Sequence, residues 1–124
     1  MAKLCGSRVV VDVALDGETI VGFAQEVKAC ALGQAAAAVL GDKVIGATAR
    51  DIEVARDAFR AMLKEGGAPP TGRFEGLAVL QPVKDFPQRH ASSLLAFEAT
   101  VEACRRALAA RTPAHTRTRR AGAA

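Results

Sequence analysis

The residues best suited to chemistry are three cysteines, Cys5, Cys30 and Cys104, and two histidines, His90 and His115. Thiolates and imidazoles ligate zinc and iron–sulfur clusters, and a thiolate is also a nucleophile. Cys5 stands in L-C-G-S, where Gly6 frees the backbone beside the sulfur. Cys30 stands at the mouth of an alanine-rich run, K-A-C-A-L-G-Q-A-A-A-A-V-L. At a helix N-terminus, unpaired N–H groups and the helix dipole favour a thiolate, and Lys28 adds positive charge nearby. The same apolar run would also accept a small buried thiol, so position alone leaves Cys30 open between core and chemistry. His90, in R-H-A-S-S, reads as a surface histidine or a ligand. C-x-x-C, H-E-x-x-H, a phosphate-binding P-loop and G-x-S-x-G are all missing from the sequence. With no acid–base pair or nucleophile constellation either, an enzyme is not expected.

These residues need elements to hold them. Val9, Val11, Val13 and Leu15 alternate with polar residues, which predicts a half-buried strand over 8–15. Asp16-Gly17 predicts a hairpin turn, and a second strand follows over 19–25, with 27 as its outer limit. A short buried helix is expected over 30–40, stopped by Gly41. Thr48 with Asp51 signals the cap of the next helix, whose stripe is Ile52, Ala55, Phe59, Met62 and Leu63 and whose end is Gly66-Gly67. A short helix over 74–80, ended by Pro82, precedes a long last helix with Pro87 in its first turn. There Leu94, Phe97, Val101, Cys104 and Leu108 form a core stripe, so Cys104 reads as a small hydrophobe. Strands come first and helices after, so the fold class is α+β: a small antiparallel sheet, the hairpin plus room for a third strand, packed against helices.

A chain of 124 residues with 50% apolar content makes one domain with a real core. The net charge of +4 resides in the tail, where Arg111, Arg117, Arg119 and Arg120 meet no acid. We expect a domain over 1–110 and a basic, disordered tail over 111–124. With no Trp or Tyr, stacking platforms for single strands are scarce, and no nucleic-acid partner is expected. No apolar run approaches a membrane span and no signal peptide is visible, so free thiols in a cytoplasmic setting are expected.

The order of these pieces resembles the IscU/SufU/NifU-N family of iron–sulfur cluster scaffold proteins. Cys5-Gly6-Ser7 matches the family's C-G-D, and Ala29-Cys30-Ala31-Leu32-Gly33-Gln34-Ala35 matches its G-C-A-I-S-Q-A. Residues 89–97, R-H-A-S-S-L-L-A-F, match its R-V-K-C-A-T-L-A-W. Phe86-Pro87-Gln88-Arg89 and the extra residues 66–84 are similar to the SufU-like branch. The likeness runs from Leu4 to Arg106 and implies the SufE/NifU (IscU-like) fold. The family's segment ahead of C-G-D is expected but not found in this sequence.

The resemblance implies a [2Fe–2S] cluster or zinc held at Cys5 and Cys30. Ser7 and Ser92 line the site where the family has an aspartate and a third cysteine. The family's third cysteine takes up sulfur, and a serine cannot carry a persulfide. Cys104 does not replace it, being about three turns further on. Three repairs are open. His90 could enter as a nitrogen ligand. Two subunits of a homodimer could each give Cys5 and Cys30. Or the chain could be a metal-free or zinc-binding interaction module. The implied partners are a cysteine desulfurase and apo-protein acceptors. An aspartate that normally keeps the cluster labile would, as Ser7, give way to slower release.

Overall fold

The computed structural model describes residues 7–110 and, for its backbone, 116–121. Strand β1 (Arg8–Asp16) and β2 (Thr19–Lys28) form the expected hairpin, with Gly17 at φ 65 in the turn. A positive φ costs glycine little, which is why Asp-Gly closes a tight hairpin. Pairing runs from Asp16↔Thr19 back to Arg8↔Lys28, with an irregularity between Ala14 and Leu15. Val9, Val11, Val13 and Leu15 are buried, as their alternation predicts. β2 runs past the expected limit to Lys28, because β1 offers a partner that far.

Helix α1 (Ala31–Lys43) takes Cys30 as its N-cap. It passes through Gly41 instead of stopping there, and the chain turns after it, where Gly46 adopts φ 92. Helix α2 (Ala49–Glu65) has the full capping box between Thr48 and Asp51 and ends at Gly66 in the left-handed conformation. Residues Gly72–Asp85 form successive 3-10 turns kinked at Phe74, with Leu77, Leu80 and Val83 buried. Pro82 does not end this segment, because proline's fixed φ suits a 3-10 turn. A further turn, Pro87–Arg89, leads into α3 (His90–Ala110).

Helix α3 is the centre of the molecule, packed on β1, α1 and α2. Its burial therefore extends well beyond one stripe, from Ser92 to Phe97 and on to Ala107. Phe97 receives Phe59 and Phe74 edge-on, at centroid distances of 5.8 and 5.5 Å. Leu108, expected in the core, is 38% exposed because it lies in the last turn, beyond the packed stretch. Arg56 and Arg60 of α2 both reach Glu98 of α3, at 2.6 and 2.8 Å.

The segment expected to be a disordered tail contains a strand. Backbone residues Thr116–Ala121 form β3, antiparallel to β1, giving the sheet order β2-β1-β3. Alternating Thr and Arg suit an extended chain, and the open edge of β1 supplies the backbone partners. The three strands finish together, since Arg8 pairs with Lys28 on one side and with Ala121 on the other.

Candidate functional site

That shared end of the sheet leads into Cys30. Cys30 follows Lys28 by two residues, and Lys28 pairs with Arg8. Cys5 lies outside the described residues. Ser7, two residues further along the sequence, is buried.

The described half of the site is built by α1 and α3. Cys30 Sγ lies 3.7 Å from Ser92 Oγ, across 62 residues of sequence. Ser92 is buried, and its hydroxyl donates to the Arg89 carbonyl at 3.3 Å. A hydroxyl has one proton, so it serves the Arg89 carbonyl while Cys30 is a thiol and can turn to the sulfur once that is a thiolate.

Gly33 permits the close approach. A Cβ there would meet the Ser92 carbonyl oxygen at 3.0 Å and the Ala29 Cβ at 2.8 Å. The small residues of α1 thus have a positional use, letting the helix lie against α3 with Cys30 facing Ser92.

Electrostatics favours the Cys30 anion. Burial alone would raise the thiol's pKa. The Gly33 N–H, the Ser92 hydroxyl, the Leu32 N–H and the Arg89 charge outweigh that and hold it below the ordinary value. No side-chain hydrogen bond of full geometry caps α1 from Cys30, so the helix N–H groups act on the sulfur as a diffuse positive field.

Cys104 behaves as expected of a core residue. It is 1% exposed, and burial pushes its thiol up to about 11. His90 is not on the surface. It is buried, and its Nε2–H donates to the carbonyls of Val83 and Lys84 at 3.0 and 3.3 Å. It also stands two residues from Ser92, about 200° around the helix. The structure therefore brings Cys30 and Ser92 together and assigns His90 to anchoring the preceding 3-10 turns. Among the described residues, no group of three or more His, Cys, Asp or Glu could hold a metal ion.

Two contributors escaped the sequence reading. Arg89 is three residues before Ser92 and so shares its helix face, a spacing that could have been noticed. Gly33 carried no signal, because its need for a missing Cβ comes from a distant helix.

These features define a small α+β protein with a thiolate-favouring site where the hairpin meets α1 and α3. No model of a known protein family matches the chain, and no curated protein does. Solved structures are similar to it. The N-terminal part of a nitrogen-fixing NifU-like protein from Brucella abortus is 47% identical with a TM-score of 0.83, covering 90% of this chain and 76% of that one. A hypothetical protein is 29% identical with a TM-score of 0.73, covering 85% and 77%. A candidate iron–sulfur cluster assembly scaffold of the SUF system, from thermophilic Fervidobacterium islandicum AW-1, is 26% identical with a TM-score of 0.70, covering 79% and 71%. The chain belongs to the IscU/SufU/NifU-N family of iron–sulfur cluster assembly scaffolds.

Proposed function

We propose that this protein carries a nascent iron–sulfur cluster, or its iron or sulfur, on Cys5 and Cys30 and passes it to apo-proteins without catalysing a reaction of its own. The observation that supports this most is Cys30 at the N-cap of α1, 3.7 Å from Ser92. By the sequence resemblance these two residues stand at the family's second and third ligand positions, the third being a serine here. Cys30 is then biased toward the thiolate that binds iron, since the Gly33 and Leu32 N–H groups, Ser92 and Arg89 outweigh the burial that would raise its pKa. Ser92 donates to that sulfur but neither ligates a soft centre nor accepts sulfur. Sulfur from a desulfurase partner would therefore arrive at Cys30 or Cys5. Among the described residues, no helix is long and apolar enough to cross a membrane. The expected setting is the cytoplasm.

A second reading is a zinc-binding or metal-free docking module on the same fold. It is favoured by two exposed apolar side chains, Val79 within the 3-10 segment and Phe86 directly after it. Anaerobic reconstitution with iron and sulfide separates the two. Cluster absorbance that disappears in a Cys5→Ser, Cys30→Ser double variant supports the scaffold. Zinc on purification, or partner binding indifferent to both cysteines, supports the module.

A further inference from the structure

The geometry points to a second binding site, away from Cys30, that takes an α-amino acid with an apolar side chain of the size of methionine or phenylalanine. This site does not depend on the cluster-carrying reading and stands or falls apart from it. It is a groove of about 700 Å³ between α2 and the chain that returns beside that helix after Gly66. Such a volume lies within the range of small-molecule sites.

Both walls are stiff. One is the face of α2 that carries Asp51, Val54, Ala55 and Ala58, spaced three and four residues apart. The other is made by Pro69, Pro70 and Phe74, of which Pro70 and Phe74 are buried. Proline fixes its own φ, and the two alanines leave space between helix and loop, so the groove is formed before anything enters it. Val54, 55% exposed, supplies apolar surface along it.

The groove is polar at one end only. Arg73 donates through Nη1 to the Lys43 and Ile45 carbonyls, at 2.9 and 3.1 Å, just ahead of Thr48 at the start of α2. Arg50 and Asp51, in the first turn of α2, line that end too. So does Glu18, whose backbone carbonyl accepts from the Ala49 N–H at 3.0 Å. The far end is apolar. Ala68 follows Gly67, whose N–H reaches the Ala61 carbonyl at 3.1 Å, and Ala58 and Pro69 complete the lining there.

The charges at the polar end are balanced and partly unused. Asp51 accepts from the Thr48 N–H at 3.0 Å, and Arg73 is held by its two carbonyls. Arg50 and Glu18 have no side-chain partner among the described residues and do not pair with each other. A simple anion would meet Glu18 and Asp51 there, and a simple cation would meet the two arginines, so neither fits alone. A ligand whose carboxylate and ammonium share one carbon satisfies both. Arg50 takes the carboxylate, Glu18 takes the ammonium, and the side chain lies along Val54, Ala55 and Ala58. The first N–H groups of α2 play no part, since the Thr48 hydroxyl and the Glu18 carbonyl already occupy those of Asp51 and Ala49.

The test is an NMR titration of the full chain with L-phenylalanine and with three probes that each lack one feature. Phenylalaninamide has no carboxylate, N-acetylphenylalanine has no ammonium, and alanine has no apolar body. Phenylalanine should shift amide signals of residues 48–58 and 68–74 saturably and leave those of Cys30 and Ser92 in place. Each probe should bind at least about tenfold more weakly, because a charge-assisted hydrogen bond or a buried apolar side chain is worth that much. Arg50→Gln should weaken phenylalanine by a similar factor and leave phenylalaninamide unchanged. Glu18→Gln should do the same with N-acetylphenylalanine as the insensitive probe. Both residues are exposed, so the variants should unfold at the temperature of the unchanged chain. Ala58→Leu fills the apolar end and should abolish binding.

No saturable shift with phenylalanine, or shifts centred outside the groove, would overturn the site. Equal affinity for all three probes, or an Arg50→Gln effect as large on phenylalaninamide as on phenylalanine, would overturn the assigned ligand class. Failure of cluster loading on the cysteines would leave this site untouched.

Discussion

The contact between α1 and α3 at Gly33 permits a sharp prediction. Gly33→Ala places a methyl 2.8 Å from the Ala29 Cβ, closer than real Cβ contacts come, and 3.0 Å from the Ser92 carbonyl oxygen, which is tight enough to require a small shift. One obstacle is backbone in the central helix and cannot rotate away, so α1 must shift. Overpacking of this kind costs about 1–3 kcal/mol. Alanine's better helix propensity returns up to about 1 kcal/mol, and less in the first turn. The net loss is about 1–2 kcal/mol, or roughly 5–10 °C in Tm for a domain of this size. Gly41→Ala in the same helix is the control. There the new Cβ meets only the Gln25 side-chain amide, at 3.2 Å, so its effect should be smaller. Thermal unfolding reads the stability, and the rate of Cys30 alkylation at fixed pH reads the site. Gly33→Ala should slow alkylation, because the shift moves Cys30 away from Ser92. A Gly33→Ala protein as stable as the original, with unchanged thiol reactivity, would refute the packing argument.

Further outcomes follow from the same geometry. Alkylation of Cys30 should begin at a lower pH than for an ordinary thiol, and Ser92→Ala or Arg89→Ala should each move that onset upward; an onset unchanged in both would contradict the electrostatic account. Cys104 should resist alkylation in the native state. Its folded pKa of about 11 exceeds the unfolded value near 8.5, so the folded state keeps a proton that the unfolded state releases. Its contribution should therefore lower stability as pH rises from about 8.5 toward 11, a slope that Cys104→Ala removes in denaturant titrations. Thr48→Ala breaks the capping box and should cost about 1 kcal/mol by chemical denaturation. Glu98→Ala leaves the half-buried Arg56 with Asp57 as its remaining partner and takes the partner from Arg60, and should cost more than Glu53→Ala, whose partner Arg105 is exposed.

What was legible in the sequence was local. Asp16-Gly17, the Thr48–Asp51 pair and the alternating valines of β1 state their geometry within a few residues, and each stands as expected. The placement of Cys30 at a helix start was equally local. What could not be read was long-range. Ser92 faces Cys30 only because α1 and α3 cross there. His90 looked like a surface residue or a ligand because nothing nearby reveals that the 3-10 turns before it point two carbonyls at its ring. The polar composition of 111–124 suggested disorder, yet six of those residues find backbone partners on β1. An open strand edge is a property of the folded sheet, which composition does not report.

The most direct test of the central claim is cluster loading on the cysteines themselves. Anaerobic reconstitution with iron and sulfide should give the visible absorbance of a cluster in the unchanged chain. It should give none in a Cys5→Ser, Cys30→Ser double variant that unfolds at the same temperature. Absorbance that survives in the double variant, or that never develops in the unchanged chain, would contradict the account.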